Sequence, residues 1–141
     1  LDRKMLDSLT LAAKSRIDVK IIMPHIPDKW YAFAVAKTYY KELIGGGVQI
    51  YEYTPGFVHA KVFISDDDTA TVGTINLDYR SLYLHFECGT FIYNNSVVDK
   101  IERDFQQTLA KCQKVSVIEV KKRSMLTKIV GHVLRLVAPL M

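Results

Sequence analysis

The sequence lacks the features that would staple a small domain together or carry it across a bilayer. Its two cysteines, Cys88 and Cys112, form no CxxC or Cys/His cluster. That is poor ground for a zinc-type site or a disulfide framework. They read as inert thiols of a reducing compartment. No apolar run reaches the roughly 20 residues of a spanning helix, and nothing has the layout of a signal peptide. Internal repeats and low-complexity linkers are also missing, so one compact domain is the expectation. Acidic residues run short in one place: from Lys111 to Met141 seven Lys or Arg face Glu119 alone, a net of +6, so residues 1–110 sum to −2. A basic tail on a slightly acidic body argues against a general nucleic-acid surface and for an anionic surface met by one segment.

What is present is a globular composition, 49% hydrophobic and 24% charged over 141 residues. A chain of this length buries roughly two thirds of its unfolded surface and needs no disulfide or structural metal. It opens at Leu1 inside a helical pattern, without an initiator methionine, and further amino-terminal material is expected.

Leu1, Met5, Leu6, Leu9, Ala12 and Ala13 recur at helical spacing, and Asp18 to Met23 reads as a buried strand ending at Pro24. The span 30–44 is helical again, stops at Gly45-Gly46-Gly47 and gives way to a strand at Val48–Tyr53. After Pro55-Gly56, the run Phe57–Ser65, the turn Asp66-Asp67-Asp68 and Thr69–Val72 read as a hairpin. A strand at Glu87–Tyr93, a cap at Asn94-Asn95-Ser96 and a helix over 97–112 follow. Alternating helices and strands predict an α/β layered domain.

Within the strand Val58–Ile64, a period of two places His59 and Lys61 on one face, with Ala60, Val62 and Ile64 on the other. An imidazole beside an ammonium suits phosphoryl chemistry. The first can attack phosphorus or protonate a leaving alkoxide near neutral pH, and the second can hold non-bridging oxygens as charge builds. Alone, a His-x-Lys pair more often describes a surface strand.

Spacing supplies the context. Asp66 lies five positions after Lys61, Gly73 seven after that, and Thr74-Ile75-Asn76 completes HxK(x)4D(x)6G(S/T)xN. This run resembles the histidine, lysine and aspartate (HKD) signature of the phospholipase D superfamily, with Thr74 where serine is common. The resemblance implies a metal-free, two-step mechanism: one histidine forms a phosphohistidine, and the histidine of a second HKD motif protonates the departing alcohol. It implies that Lys61 and Asn76 bind phosphate oxygens and that Gly73 and Thr74 support the motif. It also implies that Glu87, 28 positions after His59, hydrogen-bonds the imidazole. In the family Asp66 is largely structural, and as a turn residue it fits equally well.

The flanks narrow this further. Tyr51-Glu52-Tyr53, Gly56-Phe57, Asn76-Leu77-Asp78-Tyr79-Arg80-Ser81 and Phe86-Glu87 resemble bacterial cardiolipin synthases, as does the stretch through Pro24, Pro27-Asp28, Trp30, Tyr39-Tyr40 and Gly47-Val48. His85 departs from the asparagine usual there. The resemblance implies a phospholipase-D-like layered domain, a mixed sheet flanked by helices. It implies transfer of a phosphatidyl group between two phosphatidylglycerol molecules, giving cardiolipin and glycerol at the bacterial inner membrane. No cofactor and no nucleic-acid partner are expected.

His25, His85 and His132 have no HKD context, so the chain holds half a site. The other half belongs to a missing amino-terminal domain or to a second copy paired about a two-fold axis. Residues 1–115 are expected to form the catalytic half-domain and 116–141 a basic tail. In that tail Lys121-Lys122-Arg123 precedes an amphipathic helix. Ser124, Thr127, Lys128, Gly131, His132 and Arg135 take one side, and Met125, Leu126, Ile129, Val130, Val133, Leu134, Leu136 and Val137 the rest, up to Pro139. It suits an anionic bilayer interface or docking on a partner domain equally.

Overall fold

A computed structural model describes residues 1–122 and 125–137, side chains included except at positions 125–128 and 137. Helix α1 (Arg3–Lys14) starts where the Asp2 carboxylate accepts the Met5 N–H at 2.8 Å, pairing one of the donors a helix start leaves open. Strand β1 (Lys20–Pro24), helix α2 (Trp30–Gly45) and strand β2 (Gln49–Tyr53) make a parallel crossover unit, with Lys20 opposite Gln49 and Pro24 opposite Tyr53. Gly47, at φ 97°, turns the chain out of α2 in a conformation that favours glycine. Leu6, Val35, Tyr39, Tyr40, Leu43, Val48 and Ile50 form the core between these elements.

Strands β3 (Val62–Ser65) and β4 (Thr69–Gly73) form the expected hairpin around Asp66 and Asp67, whose φ angles are 54° and 61°. Short helix α3 (Tyr79–Tyr83) leads to β5 (Gly89–Tyr93), which pairs with β4. Helix α4 (Val97–Leu109) touches β2, β3 and β4, and β6 (Cys112–Lys114) runs antiparallel to β2. The α/β layered architecture is thus present as two three-stranded sheets, β1-β2-β6 of mixed direction and β3-β4-β5 wholly antiparallel.

Three boundaries differ from the sequence reading. The strand expected from Phe57 begins at Val62. The last cross-chain bond of that ladder runs from the Gly73 N–H to the Lys61 carbonyl, after which Thr74 bonds Cys88 and residues 57–60 have no ladder partner. For the same reason Glu87 precedes its strand by two positions. The helix expected to reach Cys112 ends at Leu109, because the open edge of β2 takes up Cys112–Lys114 and the Val115 N–H then bonds the Ile50 carbonyl at 2.8 Å. Within the Asn94-Asn95-Ser96 cap, the acceptor is Asn95 Oδ1, 2.9 Å from the Val97 N–H.

Helices α5 (Val117–Lys122) and α6 (Met125–Val137) pack on α2. Val120 enters the core and Leu134 rests against it. Gly131 is buried, and a Cβ there would meet the Ala34 carbonyl oxygen at 3.0 Å and Thr38 Cγ2 at 2.8 Å. Arg135 lies over the Tyr39 ring, 4.0 Å from its centroid. Arg123, Ser124 and Pro139 of the expected tail lie outside the described residues.

Glu52, 8% exposed, is the buried charge of the core. Its Oε2 is 2.9 Å from His25 Nδ1, and its Oε1 accepts from Tyr40 Oη at 3.2 Å and pairs with Lys37 Nζ at 3.3 Å. Burial alone would raise its pKa. His25, Lys37 and Tyr40 outweigh that and hold the carboxyl below its ordinary 4.5. A depressed carboxyl stabilises the fold above the unfolded-state value and loses that contribution as pH falls through the folded-state value. Glu52→Gln is therefore expected to cost about 2 kcal/mol at neutral pH. Urea unfolding at decreasing pH should show the two proteins converging below the ordinary carboxyl range.

Candidate active site

His59 and Lys61 sit on the extended segment that leads into β3, clear of the sheet's hydrogen-bond ladder. The alternation read from the sequence persists there: Phe57, two positions before His59, stacks on the imidazole with centroids 5.8 Å apart and planes 15° from parallel. The ring is open, its side chain 62% exposed, and Nε2 is 4.0 Å from Asp28 Oδ2. Lys61 Nζ donates to the His59 carbonyl at 2.7 Å. Partial burial lowers the Lys61 pKa, while the carboxylates of Asp28, Glu87 and Asp78 oppose that shift. These charges converge on one ammonium from the loop before α2, from the end of α3's approach and from the approach to β5.

Gly73 and Thr74 hold the segments around that ammonium. The Gly73 N–H donates to the Lys61 carbonyl at 3.2 Å, and the Thr74 N–H to the Cys88 carbonyl at 2.9 Å. A Cβ at Gly73 would lie 2.2 Å from the Cys88 oxygen and 2.6 Å from Gly89 Cα, so only glycine permits this approach. Thr74 Oγ1 accepts the Cys88 N–H at 3.0 Å and donates to Glu87 Oε2. Threonine keeps the hydroxyl that this bridge requires.

Asn76 is exposed and its Nδ2 is 3.4 Å from Ser81 Oγ, while Asp78 caps α3 by accepting the Ser81 N–H at 2.7 Å. Glu87 is not bonded to His59. Its carboxylate takes donors from Thr74 and Ser81, which hold it below its ordinary pKa. The physical reason is local: once residues 57–60 leave the ladder, His59 turns toward Asp28, and the hydroxyls of Thr74 and Ser81 are the donors at hand. Asp66 does not join the group. It sits in the hairpin turn, bonded by Ser65 Oγ at 2.8 Å and separated from Lys61 by all of β3, five residue steps or roughly 16 Å at about 3.3 Å per residue.

Lys61, Gly73, Thr74 and Glu87 thus meet along two chain crossings, His59 borders Lys61 through its carbonyl, Asn76 reaches the group through Ser81, and Asp66 is remote. Asp28 was marked in the sequence only as part of a family-like flank and not as a site residue, since it lies on a loop far upstream with no periodic link to the motif. Phe57 was legible in the period of two that pairs it with His59.

The model of the cardiolipin synthase, phospholipase-D-like domain matches residues 1–109. The chain belongs to that family. It is 42% identical over 140 residues to a cardiolipin synthase of Clostridium perfringens and 40% identical over 140 residues to cardiolipin synthase 2 of Bacillus anthracis. Over its whole length it is 54% identical to an uncharacterized protein of Streptococcus mutans. It covers 99% to 100% of itself in these comparisons but only 27% to 31% of the relatives' lengths. Among solved structures, a phospholipase D family member, Nuc from Salmonella typhimurium, superposes with a TM-score of 0.68 at 20% identity, covering 80% of this chain and 74% of that one. That likeness shows the phospholipase D fold.

In this phospholipase-D-like domain Thr74→Val is expected to keep the volume and lose the bridge to Glu87. The Glu87 pKa, followed by carbon NMR of its carboxyl, should then rise, because the donor that favours the ionised form is gone. Thr74→Ser should leave it unchanged.

Proposed function

We propose that this domain supplies one half of a phosphatidyl-transfer site that makes cardiolipin and glycerol from two phosphatidylglycerol molecules. What carries the reading is the cardiolipin synthase domain match through residues 1–109, which spans every position of the HKD run. The second HKD motif contributes the nucleophile. Its imidazole nitrogen attacks phosphorus, the N–P bond forms, and the P–O bond to glycerol breaks as His59 gives its proton to the leaving oxygen. The glycerol hydroxyl of a second phosphatidylglycerol then attacks the phosphohistidine. Neutral His59 takes that hydroxyl's proton, the N–P bond breaks, and cardiolipin leaves. Lys61 and Asn76 donate to the non-bridging oxygens while charge builds on them.

On this reading the domain works at a bacterial inner membrane, on its cytoplasmic side, with anionic lipid as substrate and surface. No helix of the described residues is long and apolar enough to cross a membrane. A second reading has two copies of the chain pairing their single HKD motifs into a nucleic-acid phosphodiesterase. The lone motif favours it, and the −2 balance of residues 1–110 opposes it.

When the domain is joined to a second HKD half, cardiolipin formation from phosphatidylglycerol should persist in EDTA. His59→Ala should lower it by about 10²- to 10⁴-fold, the range of a lost general acid–base group. Near-normal turnover in that variant would refute the assignment, and metal-independent plasmid cleavage by the purified chain would establish the second reading.

A further inference from the structure

Helix α6 presents two unlike sides. Gly131 is pressed on Ala34 and Thr38 of α2, and Arg135 covers the Tyr39 ring beside it. On the other side Ile129, Val133 and Leu136 stand 55%, 58% and 82% exposed, with Val130 at the edge of the stripe. At about 100° per residue these three fall within about 60° of one another, and their centre lies about 170° from Gly131. The helix is docked by its glycine side, and its aliphatic stripe faces away from the domain.

The surrounding charge selects an occupant. Residues 120–141 contain no Asp or Glu, and besides Arg135, which lies on the docked side over Tyr39, they carry Lys121, Lys122, Arg123 and Lys128. His132, at the margin of the stripe, is exposed. A stripe of aliphatic side chains in a segment with cations alone matches an anionic lipid surface, where the apolar groups enter the acyl boundary and the cations meet headgroups. A stable protein interface engages roughly 20 to 30 residues a side, far more than this stripe offers.

We infer that the Ile129, Val133 and Leu136 stripe of α6 is the surface by which this domain lies on an anionic lipid bilayer. The inference rests in part on the transfer reading, which makes the substrate a bilayer lipid. It adds the surface by which the domain meets that lipid.

Sedimentation of the 141-residue chain with mixed phosphatidylglycerol and phosphatidylcholine vesicles, against phosphatidylcholine alone, tests it. The chain should bind the mixed vesicles, and the Ile129→Asp, Val133→Asp pair should weaken that binding at least ten-fold. Both positions face solvent, so circular dichroism melts of the pair should match the parent. If they do not, Ile129→Ala, Val133→Ala decides, with a smaller loss expected. Undiminished binding in either folded pair, absent binding by the parent chain, equal binding to phosphatidylcholine alone, or a parent dimer that the Asp pair dissociates would each overturn the inference. His59→Ala should bind vesicles as the parent does, so loss of turnover and loss of docking are read separately.

Discussion

At Gly73 and Thr74 the chain passes between two segments and bonds to both. The Gly73 N–H reaches the Lys61 carbonyl on one side, the Thr74 N–H reaches the Cys88 carbonyl on the other, and no side chain fits between Gly73 and Gly89. This crossing places Lys61 opposite Glu87. The Thr74 hydroxyl then joins the backbone of Cys88 to the Glu87 carboxylate, so the same dipeptide fixes the geometry and charge of the site's floor.

The upper side is built differently. His59 is held by a stacked Phe57 and faces Asp28, with no hydrogen bond from its ring among the described residues. On the proposed transfer reading, a phosphate entering beside the exposed imidazole would compete with Asp28, Asp78 and Glu87 for the Lys61 ammonium. The low position of Glu87 on the pKa scale keeps it charged in that competition. The loop that carries Asp28 begins at His25, which is tied to buried Glu52, so the core reaches the site through one carboxylate.

The carboxy-terminal segment shows how packing can divide the apolar side of a helix. Leu134 rests against the core, while Gly131 brings α6 close enough to α2 for its backbone to meet Ala34, a contact that larger side chains would block. Close backbone approach here outweighs the burial of Ile129 and Val133, and the aliphatic stripe is left on the outside.

The sequence by itself determined the α/β class, most elements, the hairpin at Asp66 and the HKD run to which His59, Lys61 and Asn76 belong. These depend on local periodicity, turn chemistry and fixed spacing. Tertiary structure decided where β3 starts, because a ladder ends where its partner turns away. It made Cys112–Lys114 a strand, because β2 had an edge to fill. It also gave Glu87 to Thr74 and Ser81, brought Asp28 to His59 and turned α6 outward. Each of these depends on which groups meet across distant parts of the chain, and no local pattern encodes that.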